Sequence, residues 1–448
     1  MFRIRRRRFL QLAFAAATFL LCYCLFKSGG DSDTSAQPSA EISSGSFSTQ
    51  SAEVVIGTFD VSHEEDVTRY SPGGYHPVTI GDAFKDGRYV VRRKIGYGEY
   101  STVWLTEDIQ KKQFVALKIL AANSSAGGID EVEEVEILLH TTKANPSHPG
   151  YKHVISILDH FDHVGVHGTH ICLVFELLGR GGYSLLRHYN EQLPLPMVKR
   201  FLQQFFLGLD YLHTQARIVH TDLKLDNILL MLDDPYETIK NDLRANPPIS
   251  APPQGSQGPP HTPYRVYKSQ PLPVFEPPGN AINVKIVDLG VANWVDKHMR
   301  SLITSPILRA PEVVLGAPWD TSADIWSAAC IVYRLLMGDE LFNPFARPDA
   351  SWTEEEEHIA QMIELLGRVP SSLIERGKYA HKYLEADGML WKIAGIEPHS
   401  RSLRAMIAER HGDEVADQSY DLLSLMFRYE PYERSTAAQL AQHPWLRP

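Results

Sequence analysis

The chain has 448 residues, with 44 Lys and Arg against 54 Asp and Glu and a formal net charge of −10. A hydrophobic fraction of 44% with 10% aromatics supplies a core and excludes wholesale disorder, and four cysteines cannot staple a chain of this length. The acidic balance excludes a general nucleic-acid binder, which needs a basic footprint, and leaves room for an acidic surface that recruits basic partners.

The charge is uneven: residues 1–30 carry five Arg and Lys27 without an acid, residues 31–75 carry eight acids and only Arg69, and the remainder sums to −9. Residues 1–27 read as a hydrophobic targeting or anchor segment. Behind the arginines, Phe9–Phe26 has only Gln11 and Thr18 as plainly polar residues. As a helix it would be about 27 Å long, close to the roughly 30 Å hydrocarbon core of a bilayer. It fits a signal-anchor, a cleaved secretory signal or an Arg-rich mitochondrial presequence, with a mis-assigned start as the alternative. If the segment is retained, membrane contact through residues 9–26 is expected; otherwise the chain belongs in cytoplasm or nucleus, or in the mitochondrion if this is a presequence. The positive-inside rule would send the rest of the chain across the bilayer, which conflicts with the cytosolic chemistry read below.

Residues 28–68 are expected to be a disordered linker, rich in Ser, Thr, Gly and Gln as far as residue 52. A small β-rich lobe follows over 69–178. Arg88–Lys94 and Ser101–Leu105 read as strands around a glycine turn, and Phe114–Leu120 as another. Ile129–His140 has helical spacing, with Val132, Val135, Leu138 and Leu139 on one face. Over 179–448 helical patterns dominate, as in Met197–His213 and Ser322–Met337. Within that lobe lies a proline-rich insert at about 233–280, since residues 231–280 hold 12 of the 29 prolines. Prolines supply neither ladder nor helix hydrogen bonds, so the insert is expected to be extended and outside the core. The fold class is therefore α+β and bilobal.

Five motifs make up the set that carries chemistry. Ile95-Gly96-Tyr97-Gly98-Glu99-Tyr100-Ser101-Thr102-Val103 is a glycine turn between strands, and glycines let backbone amides approach phosphate. A strand follows it instead of a helix, which disfavours a dinucleotide site. Val115-Ala116-Leu117-Lys118 ends a strand on a lysine, which with an acid on the next helix can grip α- and β-phosphates. Glu131, Glu133, Glu134 and Glu136 compete for that acid, and the apolar neighbours of Glu136 make it the expected inward one. Val219-His220-Thr221-Asp222-Leu223-Lys224-Leu225-Asp226-Asn227 offers an Asp to accept a hydroxyl proton, a Lys to steady a phosphate and an Asn to ligate magnesium. Ile286-Val287-Asp288-Leu289-Gly290 adds a second metal-binding carboxylate, and Ala310-Pro311-Glu312 closes the set.

In order and content these motifs resemble the eukaryotic protein-kinase pattern over roughly residues 85–447. The wording is closer still to the SR-protein kinase family. It is similar in Tyr70-Ser-Pro-Gly-Gly-Tyr-His-Pro-Val-Thr-Ile-Gly-Asp82, in Gly168-Thr-His-Ile-Cys-Leu-Val-Phe-Glu176, in His220-Thr-Asp222 and in Gly338-Asp-Glu-Leu-Phe-Asn-Pro344. The resemblance implies a bilobal kinase fold and a serine/threonine protein kinase using ATP and Mg2+. It implies ATP contacts from Ile95, Gly96, Tyr97, Gly98, Glu99, Val103, Ala116 and Lys118, with Phe175, Glu176 and Leu178 at the hinge. Lys118 would pair with Glu136. Asp222 would be the base, Lys224 its partner, and Asn227 and Asp288 the metal ligands. Glu312 would pair with Arg434, and Asp324 and Trp326 would lie on a helix anchoring the catalytic loop. The implied substrates are basic Arg/Ser-rich proteins docking on Asp339, Glu357 and Glu364, beside the run Glu354–Glu357; on charge pattern alone these acids read equally as a solvated face. A monomer without direct nucleic-acid binding is expected.

Several positions depart from common kinase wording. Ser101 replaces the third glycine, and Asp-Leu-Gly replaces Asp-Phe-Gly. Thr221 stands where many kinases have an arginine that reads a phosphorylated activation loop, so activity without loop phosphorylation is expected. No catalytic position is missing, which ranks a pseudokinase scaffold second. His160, His163, His167 and His170 fall within eleven residues; exposed or satisfied histidines are the default there and a zinc site the alternative.

Overall fold

The computed structural model describes residues 54–122, 131–232, 235–251, 265–273, 281–345 and 351–447. The leading hydrophobic segment lies outside them, and no helix among the described residues is long and apolar enough to cross a membrane.

In chain order the strands are β1 (Val55–Ile56), β2 (Ala83–Phe84), β3 (Tyr89–Gly98), β4 (Ser101–Asp108), β5 (Gln113–Leu120), β6 (Ile157–Gly165), β7 (Gly168–Glu176), β8 (Ile218–Val219), β9 (Ile228–Leu230), β10 (Ile249–Ser250), β11 (Val284–Ile286) and β12 (Asn293–Trp294). The principal helices are α1 (Glu131–Lys143), α2 (Gly182–His188), α3 (Leu195–Asp210), α4 (Pro235–Ala245), α5 (Pro311–Leu315), α6 (Ser322–Met337) and α7 (Glu354–Leu366). The chain divides into two compact units; the first takes in the described residues before 124 with those of 159–174 and 234–271, and the second takes in the rest.

The first unit is built on a six-stranded sheet, ordered β2-β3-β4-β5-β7-β6. Alternation in β4 sends Trp104 to one face, where it packs with Val91, Leu117, Cys172, Val174 and Tyr267 in the core. Two expectations fail here. Residues 54–68 are ordered: Asp60 and Asp66 cap short helical turns, and Glu64 and Glu65 are buried on Lys94 of β3. Two of the acids counted in the expected linker thus satisfy a lysine with no exposed side-chain surface. The described parts of the proline-rich insert, 235–251 and 265–273, also join the core. Tyr267 is 2% exposed, β10 pairs in parallel with β1, and Arg93 Nη2 donates to Asp242 Oδ2 of α4 at 2.5 Å, both groups buried. Tyr236 stacks on Phe114. Prolines bracket these segments without interrupting their hydrogen bonds.

The second unit is mainly helical. Helix α3 buries Met197, Phe201, Leu202, Phe205 and Leu209 along one stripe. Helix α6 is buried nearly all round, and Gly338 at φ 67° ends it. The guanidinium of Arg434 forks onto Glu312 of α5, at 2.7 Å to each carboxylate oxygen, with both side chains fully buried.

Candidate active site

The catalytic loop of the second unit is held by one carboxylate. Asp324 of α6, 1% exposed, accepts the backbone N–H of His220 at 2.7 Å and of Thr221 at 2.9 Å, and lies 2.9 Å from His213 Nε2. Thr221 adopts φ 65°, a left-handed conformation that costs a non-glycine residue energy and that these bonds maintain. His220 Nε2 lies 2.9 Å from the Val287 carbonyl while its Nδ1 accepts the Asp222 N–H, so the neutral ring carries its proton on Nε2. The Thr221 hydroxyl donates to the Val291 carbonyl at 2.7 Å, tying this loop to the segment after Asp288.

Three predicted residues converge on that frame. Lys224 Nζ donates to Asp222 Oδ2 at 2.8 Å, and Asn227 Nδ2 donates to the Asp222 carbonyl at 2.9 Å. With its amide nitrogen engaged, Asn227 keeps Oδ1 as the atom able to ligate a cation. The pairing of β9 with β11 carries the chain from Asn227 to Asp288, which is exposed at φ 65°. An amide oxygen and a carboxylate are hard donors, so the set fits magnesium.

The inward-facing acid on α1 is Glu134, which corrects the expectation of Glu136. Glu136 is exposed, whereas Glu134 is 5% exposed. A Cβ on Gly290 would come within 3.3 Å of Glu134 Oε1 and 3.4 Å of Asp288 Oδ1, so the carboxylate stands beside the Asp-Leu-Gly turn. Period decides it: Glu134, Ile137, Leu138 and Thr141 form the buried i, i+3, i+4, i+7 stripe, to which Glu136 does not belong. Glu133 instead accepts from Lys297 at 2.9 Å.

In the first unit, Gly96 pairs with Val103, and Val103 with Lys118, in register across β3, β4 and β5. Direct partners share a sheet face, and Ala116, two residues from Lys118, joins them. A Cβ on Gly96 would meet nothing within 4 Å, so this face is open at the glycine. Glu99 and Tyr100 form the turn between Gly98 and Ser101; Glu99 is exposed, and Ile95, Tyr97 and Lys118 are half-buried. At the hinge of the second unit, Phe175 is half-buried and Leu178 buried, while the Glu176 carboxylate accepts from Lys285 at 2.5 Å.

The protein kinase domain pattern matches residues 89–241 and 274–446. The serine/threonine-protein kinase SRPK of Physarum polycephalum is 36% identical over 86% of this chain and 92% of its own length. Protein kinase dsk1 of Schizosaccharomyces pombe is 32% identical, over 86% of this chain and 85% of its own length. The chain is a serine/threonine protein kinase of the SR-protein kinase family. The human SRSF protein kinase 3 is similar too, at 31% identity over 87% of this kinase and 91% of its own length.

Of the kinase's three expected docking acids, Asp339 is exposed and 3.7 Å from Arg334, and Glu364 is half-buried. Glu357 is corrected: it is 5% exposed, and its oxygens accept from Trp352 Nε1 at 2.7 Å and Gln361 Nε2 at 3.0 Å, because it lies on the inner face of α7. A cavity of about 450 Å³ borders it, lined by Phe345, Trp352, Glu354 and Glu355 among others. The aromatic residues of this cavity carried no motif and were missed. In the histidine run, His163 and His170 pack their rings on His76, which burial and the neighbouring imidazoles push down to about 3. Among the described residues no group of three or more side chains is arranged to hold a metal ion.

Proposed function

We propose that this kinase transfers the γ-phosphate of ATP, with magnesium, to serines in Arg/Ser-rich proteins. The observation that carries the reading is the Asp222–Lys224–Asn227 frame hung from Asp324. Asp222 is oriented to accept the proton of a substrate hydroxyl, and Lys224 beside it neutralises the transferring phosphate. Asn227 and Asp288 would hold magnesium, which when bound spreads the charge developing on the phosphate. Gly96, Gly98, Val103 and Ala116 would cover the nucleotide, with backbone groups of Glu176 and Leu178 at adenine. Lys118 would order its phosphates, and Glu134 stands beside the Asp-Leu-Gly turn that carries Asp288.

Substrate preference follows charge. Asp339 and Glu364, with the acidic and aromatic cavity at the start of α7, suit guanidinium groups, which pair with carboxylates and stack on indole faces. Thr221, already bonded to Val291, needs no phosphate to order the following segment, so turnover should survive phosphatase treatment. Residues 9–26 would add membrane contact where retained; imaging tagged chains with and without 1–27 tests that.

Radiolabelled ATP, an Arg/Ser peptide and a short neutral peptide test the reading, with Asp222→Asn as control. Transfer by the intact chain, abolished in Asp222→Asn, is the expected result. Charge reversal at Asp339 and Glu364 should weaken the Arg/Ser peptide alone; equal losses for both peptides would sink the docking assignment.

A further inference from the structure

Tyr75 lies in the leader before the sheet, outside every motif given a role above, yet it reaches the glycine turn. The residue is 2% exposed, and its hydroxyl lies 2.8 Å from the carbonyl oxygens of both Gly98 and Glu99, sharing one proton between them. Its own position is fixed from several sides. Its N–H donates to the Arg69 carbonyl at 2.8 Å, the Arg69 guanidinium covers its ring at 4.6 Å, and Tyr70 meets that ring edge-on. The intervening turn admits only glycine at 74, where a Cβ would fall 1.8 Å from the Arg69 carbonyl oxygen. Tyr70 in turn donates to Glu65, which holds Lys94 on β3. The leader thus grips the same strand at its buried lysine and at its tip.

A trans peptide is planar, with C=O and N–H pointing in opposite directions. Fixing the Gly98 and Glu99 carbonyls therefore aims the N–H groups of Glu99 and Tyr100 away from Tyr75. We infer that Tyr75 is a positioning residue for ATP: it pre-orients these two turn amides as phosphate donors. The inference rests on the ATP reading above and adds to it a determinant outside the glycine motif. A turn whose amides are already aimed loses less freedom when it takes up the phosphates, and so binds them more tightly.

Tyr75→Phe removes the hydroxyl and keeps the ring. KM for ATP should rise about three- to tenfold, the effect of one hydrogen bond, with KM for the Arg/Ser peptide and the melting temperature nearly unchanged. Affinity for ADP should fall by a similar factor. Hydrogen exchange at the Glu99 and Tyr100 amides should quicken, while the β4–β5 ladder keeps its protection. An unchanged KM for ATP overturns the inference, as does a parallel loss for ATP and peptide with a lowered melting temperature, which would mark general loosening. A wild-type chain with no affinity for ATP or ADP would instead sink the reading beneath it.

Discussion

Replacing Arg434 with Met removes a guanidinium that is fully buried and bonded on every side. Besides the two 2.7 Å bonds to Glu312, it donates to the carbonyls of Arg428 at 2.9 Å, Ser322 at 2.9 Å and Tyr429 at 3.3 Å. The substitution leaves a fully buried carboxylate without its cation, and breaking such a pair costs about 3–5 kcal/mol. The three carbonyls lose their partner too, at roughly 1 kcal/mol each where no water reaches them, which places the loss at the upper end of that range. Glu312→Leu should cost a similar amount by stranding the guanidinium. The double variant strands no charge, so it should lose no more than either single change, a coupling of at least about 3 kcal/mol. Urea unfolding followed by circular dichroism measures all four corners, and hydrogen exchange over Ser322–Met337 reads the effect locally. Additive losses, or a single-variant loss below about 1 kcal/mol, would refute the reasoning.

Glu134→Gln, beside the Asp-Leu-Gly turn, should lower kcat/KM by about a hundredfold, whereas Glu136→Gln on the outer face of α1 should leave turnover near wild type; steady-state kinetics of the pair decides between them. In the insert, Asp242→Ala strands the buried guanidinium of Arg93 and should cost about 3 kcal/mol in unfolding experiments. The exposed Glu237→Ala on the same helix should stay within about 0.5 kcal/mol. Burial, with Arg309 adding its positive charge, pushes His358 from 6.5 down to about 3. The folded value lies below the unfolded one, so the contribution of the neutral ring is complete above about pH 6.5 and is lost as pH falls toward 3. At pH 5 the loss is about 2 kcal/mol, and His358→Phe should flatten that acid limb in melts taken from pH 7 to pH 5.

The elements whose partners are near in sequence were legible. Strand-forming runs around a glycine turn located β3, β4 and β5, and the apolar run Ser322–Met337 is a helix with those ends. The loop from His220 to Asn227 could be read because its chemistry is local, with the base, lysine and amide falling within five residues of one another. Glu134 was missed although its signal was present, because apolar neighbours were weighed ahead of helical period. The insert was misread through composition: Pro235 at the first helical position and Pro247 just beyond the last turn are start and stop signals, and the span between them is free of proline. The roles of Glu64, Glu65 and Asp242 were beyond any local reading. Their partners, Lys94 and Arg93, lie 30, 29 and 149 residues away.

The stitching of α4 and Tyr267 into the first unit sets an order of events during synthesis. The strands through Glu176 leave the ribosome well before Tyr267, which completes their core, and before Asp242, which neutralises Arg93. At about 5–20 residues per second, the nascent sheet carries an unpaired buried cation for roughly 3 to 13 s, until Asp242, and an unfilled aromatic socket for roughly 5 to 18 s, until Tyr267. A fragment ending at residue 178 never leaves that state. The smaller lobe is therefore inseparable from the synthesis of the larger one, and a nascent chain stalled before residue 271 presents a half-built sheet to chaperones.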